Sequence, residues 1–299
     1  MSAPRLLCAT AIGVLLLSII PLSFAQTNAS CRFHSLTAPS GSSFGLMQGI
    51  NDYGTVVGSA AKAGAPGLFV GATVYSNGST TFYSVPNTYS TGFSRRNDSG
   101  IVVGAYADYT YPQHYSHGLV LHGSTLVKVN YPGAVSSGLA GINKWGSMVG
   151  NATLPGGAIT SFKLANGKYE KIGYPGFASS TQLTAISDTG AIVGFYDVYS
   201  PQVHGFVYSN GTYKKLDYPA TNVSTYLYDV NASGEIVGDY LANTSGSFAQ
   251  GFIYKNGTFK TVSYPGATNT QLWGLSNKGV VVGNWSNLYT QGAFTAVCQ

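Results

Sequence analysis

The chain carries little charge: Lys, Arg, Asp and Glu together make up 8% of its 299 residues. Its net charge of +5 is scattered, with no basic run, which argues against nucleic acid as a partner. Histidine is scarce at five residues, Asp plus Glu number ten and cysteine three. So thin a supply of ligating and proton-transferring groups leaves no cofactor motif and no metal set, so no cofactor is expected. No long segment places apolar residues at helical spacing, which argues against a helical fold. Glycine (39) and tyrosine (22) are abundant instead, a composition that favours a single all-β domain.

One apolar stretch does occur, at the start. Residues 1–25 combine Arg5, an apolar run and the small-residue ending Ser23-Phe24-Ala25, the pattern of a secretory signal cleaved after Ala25. Cys8 and Arg5 would leave with it, lowering the net charge to +4 and leaving Cys31 and Cys298. The mature product, 26–299, then has no membrane-spanning segment and is expected to be a secreted monomer, extracellular or periplasmic.

One unit recurs six times: NDYGTVVG (51–58), NDSGIVVG (97–104), NKWGSMVG (143–150), SDTGAIVG (187–194), NASGEIVG (231–238) and SNKGVVVG (276–283). Its second glycines are spaced by 46, 46, 44, 44 and 45 residues. Within each unit the chain reads as four short strands. In the fourth copy these are TQLTAIS, AIVGFY, HGFVY and TYKKLDYP, with Asn210-Gly211 as the hairpin turn between the last two. The paired glycines read as turn chemistry, because a phosphate-binding loop would open a helix and would not recur six times. Four antiparallel strands in such a length is the blade of a β-propeller, which gives a six-bladed ring. The alternating fourth strand, with Lys214, Lys215 and Lys260, suits an exposed blade edge, and the proline after it ends the strand.

The sixth unit lacks a fourth strand, and residues 31–39 match that strand in spacing. The last blade is therefore expected to be completed by the N-terminal strand, with a Cys31–Cys298 disulfide in place of the missing hairpin connection.

The run His204-Gly-Phe-Val-Tyr, flanked by the glycine-paired strand, Asn-Gly and Tyr-Pro, resembles the HAF extracellular repeat family of bacteria. His117-Gly-Leu, Gln250-Gly-Phe and Gln291-Gly-Ala depart from that signature. The resemblance implies a secreted repeat protein and carries over no catalytic residues.

In a four-stranded meander the tight turns fall on one face of the disc and the longer loops on the other, where functional groups gather. Two positions after the second glycine stand Tyr106, Tyr196, Tyr240 and Trp285, with Ala60 and Ala152 in the other copies. Asp108, His114, Asp197, His204 and Asp239 lie close in sequence, together with Tyr109, Tyr111, Tyr199 and Tyr289. Aromatic faces beside polar groups suit sugar binding; the competing reading is that the rings fill the wedge between blades. Gly41-Ser-Ser43-Phe-Gly45 lacks the strand-turn-helix setting of a nucleophile elbow. His114 and His117 lack matching acids or cysteines for a metal. The leading expectation is a non-catalytic binding module for an extracellular glycan or surface protein. A polysaccharide lyase using Tyr and His on the same face is the enzymatic alternative, and a structural envelope or matrix protein is the third.

Overall fold

The computed structural model describes residues 27–65, 68–110, 113–176, 180–198, 202–242 and 248–299. The segment read as a signal, 1–25, lies outside the described residues, as do Tyr111 and Tyr199. Six sheets stand in a ring, each built on a four-stranded antiparallel meander; five run in sequence order, and the sixth takes its outer strand from the N-terminus. Their inner strands are Ser42–Ile50, Ser90–Arg96, Ser136–Ile142, Ser180–Ile186, Val223–Val230 and Asn269–Leu275, opening blades 1 to 6. The second strand of each blade packs on the inner strand of the next, and blade 6 returns to blade 1. The chain is thus a six-bladed β-propeller with four antiparallel strands per blade.

The two glycines of the repeat serve different ends. The first, such as Gly100 at φ 88° and Gly190 at φ 85°, closes the tight turn in the left-handed region. The second has no such need. Each inner strand slips register by one residue beside it, as between Leu183 and Ala185 in blade 4. The slip presses an inner-strand carbonyl onto the glycine, so a Cβ on Gly194 would collide with the carbonyl of Gln182. The reading of both glycines as turn chemistry is corrected here: the second is required by close backbone approach.

The asparagine that opens four of the six turns ties neighbouring blades. Asn51, Asn97 and Asn143 donate their amides to the carbonyls of Asn97, Asn143 and Ser187 in the following blade, and Asn231 donates to Ser276. Between blades, fully buried phenylalanines Phe162, Phe206, Phe252 and Phe294 from the third strands fill the wedge.

Closure follows the expected offset. Cys31–Leu36 pairs antiparallel with Gln291–Cys298, Cys31 stands directly opposite Cys298, and the two form a disulfide across 267 residues. The N-terminal segment also reaches further than expected. Thr27–Asn28 adds in parallel to Thr258–Val262, the outer strand of blade 5, so the chain straps two blades together.

At the slip itself, five of the blades carry Gly49, Gly141, Ala185, Asp229 and Gly274, and blade 2 carries Arg95. Arg95 reaches across the ring to the blade directly opposite, its Nε 3.2 Å from Asp229 Oδ2. Its guanidinium also donates to the carbonyls of Gln48, Tyr228 and Trp273. One buried ion pair therefore closes the central channel, in space left by the small residues of the other four blades.

Candidate binding face

The long-loop face lies at the N-terminal ends of the inner strands. The aromatic positions identified in the sequence sit there, each in its own local network rather than in one shared site.

In blade 2, Tyr106 pairs in register with His117, ring centroids 5.2 Å apart. His117 Nε2 lies 3.3 Å from the Asp108 carboxylate, and its Nδ1 accepts a hydrogen bond from the Asn130 amide at 3.1 Å. His114 lies flat on Tyr89, centroids 3.8 Å apart, and its Nδ1 is 3.0 Å from the Asp108 carbonyl. In blade 4, Tyr196 stacks on Tyr174 at 3.6 Å and is only 4% exposed. His204 pairs with Asp217 at 2.9 Å, and Ser180 donates to Asp197. In blade 5, Tyr240 stacks on Tyr218 at 3.7 Å. In blade 6, Trp285 stacks on Tyr264 at 4.7 Å.

Three of the four aromatic rings follow the wedge reading. Tyr196, Tyr240 and Trp285 each lie on the tyrosine of a Tyr-Pro connection, so that tyrosine wedges the blades as well as preceding the strand stop. Tyr196 is buried outright, and Asp239 is 1% exposed. His117 and His204 are clamps: each holds the outer-strand residue that precedes the Tyr-Pro or its equivalent.

These surroundings work against proton abstraction. Burial raises the Tyr196 phenol above its ordinary range, and the hydrogen bond and charge of Tyr174 push it the same way. Burial raises Tyr106 as well, with the Asp108 charge adding to it. A tyrosine general base needs the opposite shift. Asp239 is a different case. Burial lifts its carboxyl to about 7, against the stabilising bonds from Gln271 and Tyr228. Gln271 donates to it at 2.8 Å.

Trp285 borders a cavity of about 290 Å³ between blades 6 and 1. Phe44 and Phe69 bring further rings, and Asn269, Gln271 and Gln291 bring amides. Asn284, also in the wall, fixes the seam by donating to the Gly45 carbonyl and accepting the Met47 N–H. Three blades away, Asn151 clamps Leu183 by the same pair of bonds. There a second cavity, about 310 Å³, opens among Ala105, Ser136, Gly138, Asn151, Ala152 and Gln182. Blades 4 and 5 carry Phe195 and Asp239 at the clamp position and stacked tyrosines beside it.

Of the ligand-binding candidates singled out from sequence, Trp285 alone is among the described residues that line either cavity. Sequence reading missed Phe44, Phe69, Asn269, Gln271, Asn284 and Gln291. The signal was there in the residue directly after the second glycine, where the repeats disagree: Ser59, Ala105, Asn151, Phe195, Asp239 and Asn284.

No family model and no curated protein matches the chain. Among solved structures it is similar to AofleA from Arthrobotrys oligospora, at 13% identity over 90% of this chain and 86% of that one, TM-score 0.52. It is also similar to the Aleuria aurantia lectin, solved in complex with α-methyl-L-fucoside, at 9% identity over 87% and 95%, TM-score 0.52. A protein of unknown function from Dyadobacter fermentans matches at 10% identity over 90% and 99%, TM-score 0.54. The Aleuria lectin is itself described as a six-bladed β-propeller. At these identities the likeness is one of fold.

Proposed function

We propose that the chain is a non-catalytic glycan-binding module that takes its ligand on the long-loop face, in the cavity between blades 6 and 1. The observation that carries this reading is the wall of that cavity: the rings of Trp285, Phe44 and Phe69 beside the amides of Asn269, Gln271 and Gln291. Apolar rings match the C–H faces of a pyranose and amides match its hydroxyls. A fucoside-bound lectin on the same fold supports the reading.

The same proposal makes the protein an exported monomer of the HAF kind. Its disulfide calls for an oxidising compartment, and residues 1–25 have the composition of an export signal.

Glycan-array screening followed by titration calorimetry tests the function. Wild-type protein should bind a defined subset of glycans, and Trp285→Ala should weaken that binding by about tenfold or more, as loss of an aromatic anchor does. The milder Gln291→Ala, at an exposed residue of the cavity wall, with an unchanged thermal midpoint, separates lost binding from lost folding. Array binding unaltered by both substitutions would remove the site, and an empty array would favour the structural matrix protein.

A further inference from the structure

The two cavities on the long-loop face stand three blades apart, on opposite sides of the axis, around equivalent asparagines. Both reach the central channel. The cavity at blades 6 and 1 is bounded on the inner strands by Leu46 and Gln271, and the one at blade 3 by Gly138 and Gln182.

These four residues belong to one ring of equivalent positions, each preceding the buried apolar residue of its inner strand. Gly92 and Tyr226 complete it. A Cβ on Gly92 would meet nothing within 4 Å, and one on Gly138 would meet only Ala105 at 3.6 Å, so this side of the mouth is open. Deeper in the ring, the Arg95–Asp229 pair bars the channel. Two residues beyond Gln271 on the same strand, the indole N–H of Trp273 is buried with no acceptor among the described residues. Among the described residues no charged side chain lines either cavity.

We infer that the two cavities are the ends of one extended site, which takes a neutral oligosaccharide lying across the channel mouth. The inference rests on the proposed glycan function and specifies its ligand as an uncharged pyranose chain rather than a single sugar. Gln271 and Gln182 stand two blades apart on the rim of the mouth, in blades 6 and 4, and Tyr226 of blade 5 lies between them. The missing side chains at Gly92 and Gly138 leave it room to pass. An acidic polysaccharide would find no cation in either cavity, and burying its carboxylates there would be costly.

Titration calorimetry with cello-oligosaccharide and chito-oligosaccharide ladders, from monosaccharide to hexasaccharide, tests the inference on the full chain. Affinity should rise about tenfold or more once a chain is long enough to occupy both ends, as for linked units engaging two subsites. Gly138→Tyr places at blade 3 the side chain that blade 5 carries naturally. It should abolish the gain with chain length while leaving monosaccharide affinity unchanged, and Gln182→Ala should reduce the gain without filling the space. An unchanged thermal midpoint for both variants excludes misfolding. Equal affinity along the ladders, or a gain that survives Gly138→Tyr, overturns the inference. Array binding to acidic glycans with none to the ladders overturns it while the glycan function stands; no binding to any glycan removes both.

Discussion

The two faces of the disc are built by different rules. On the tight-turn face one arrangement recurs: Asp98 accepts the Asp52 N–H, Asp188 accepts that of Lys144, and Asn277 accepts that of Ala232, each across a blade boundary. Asn277 then donates its own N–H to Asp52, passing the pattern across the closure seam. On the long-loop face adjacent blades seldom agree. Clamping asparagines at blades 3 and 6 leave cavities, while stacked tyrosines at blades 4 and 5 fill theirs. Repetition carries the scaffold, and departures from it carry the candidate site.

Removing what holds the ring closed should produce the largest effect. Cys31→Ser with Cys298→Ser should lose about 5–6 kcal/mol by the chain-entropy estimate for so long a loop. In hydrogen exchange, Cys31–Leu36 and the strap at Thr27–Asn28 should lose protection before the other blades; uniform loss would contradict a local closure. Next comes the central pair. Arg95→Ala leaves the Asp229 carboxylate buried and unpaired, and should cost about 3–5 kcal/mol in denaturant unfolding. Arg95→Met with Asp229→Leu should recover most of it, and a double variant as unstable as the single would show that the pair's charge matters in itself.

Asp239 separates the faces by pH. Its folded carboxyl titrates at about 7 against an ordinary 3.8, so between those values the folded state holds a proton that the unfolded state has released. Stability should therefore fall as pH rises through that window, by up to ~1.4 kcal/mol per pH unit, and level off above it. Asp239→Asn, which copies the residue at Asn151 and Asn284, should flatten this dependence in melts taken across the range. A slope that persists would assign it to another group. The smallest contrast lies between glycines. Gly194→Ala, driven against the Gln182 carbonyl, should cost about 1–3 kcal/mol, whereas Gly92→Ala, with open space at its Cβ, should stay within about 0.5 kcal/mol. Equal costs would mean that both positions are constrained by the backbone rather than by the neighbouring strand.

Much of the scaffold was legible because it repeats. Six copies of a glycine pair set the blade count, and the missing fourth strand at one terminus matched a surplus strand at the other. The candidate site was less legible for the same reason. Searching for what the copies share led to Tyr106, Tyr196, Tyr240 and Trp285, and three of these four stack on the tyrosine of a Tyr-Pro connection. The residues around the cavities are those the copies do not share, so Asn284, Gln271 and Phe44 drew no notice. The Arg95–Asp229 pair was hidden more deeply, since its partners lie 134 positions apart and meet only when blades 2 and 5 are placed on opposite sides of a closed ring.

The sequence by itself determined the strands, the tight turns, the number of blades and the offset that pairs Cys31 with Cys298. These follow from short-range rules: period-two alternation, glycine where φ must be positive, and proline where a strand must stop. Only the tertiary structure decided which aromatic rings are spent as wedges and which border open space. That choice depends on the side chain facing each ring across a blade boundary, Tyr174 for Tyr196 and Tyr264 for Trp285, and on how much room the next blade leaves. The physical reason is that a propeller is held together between blades, by contacts from about 20 to more than 40 residues apart in sequence, where no local pattern records what will meet.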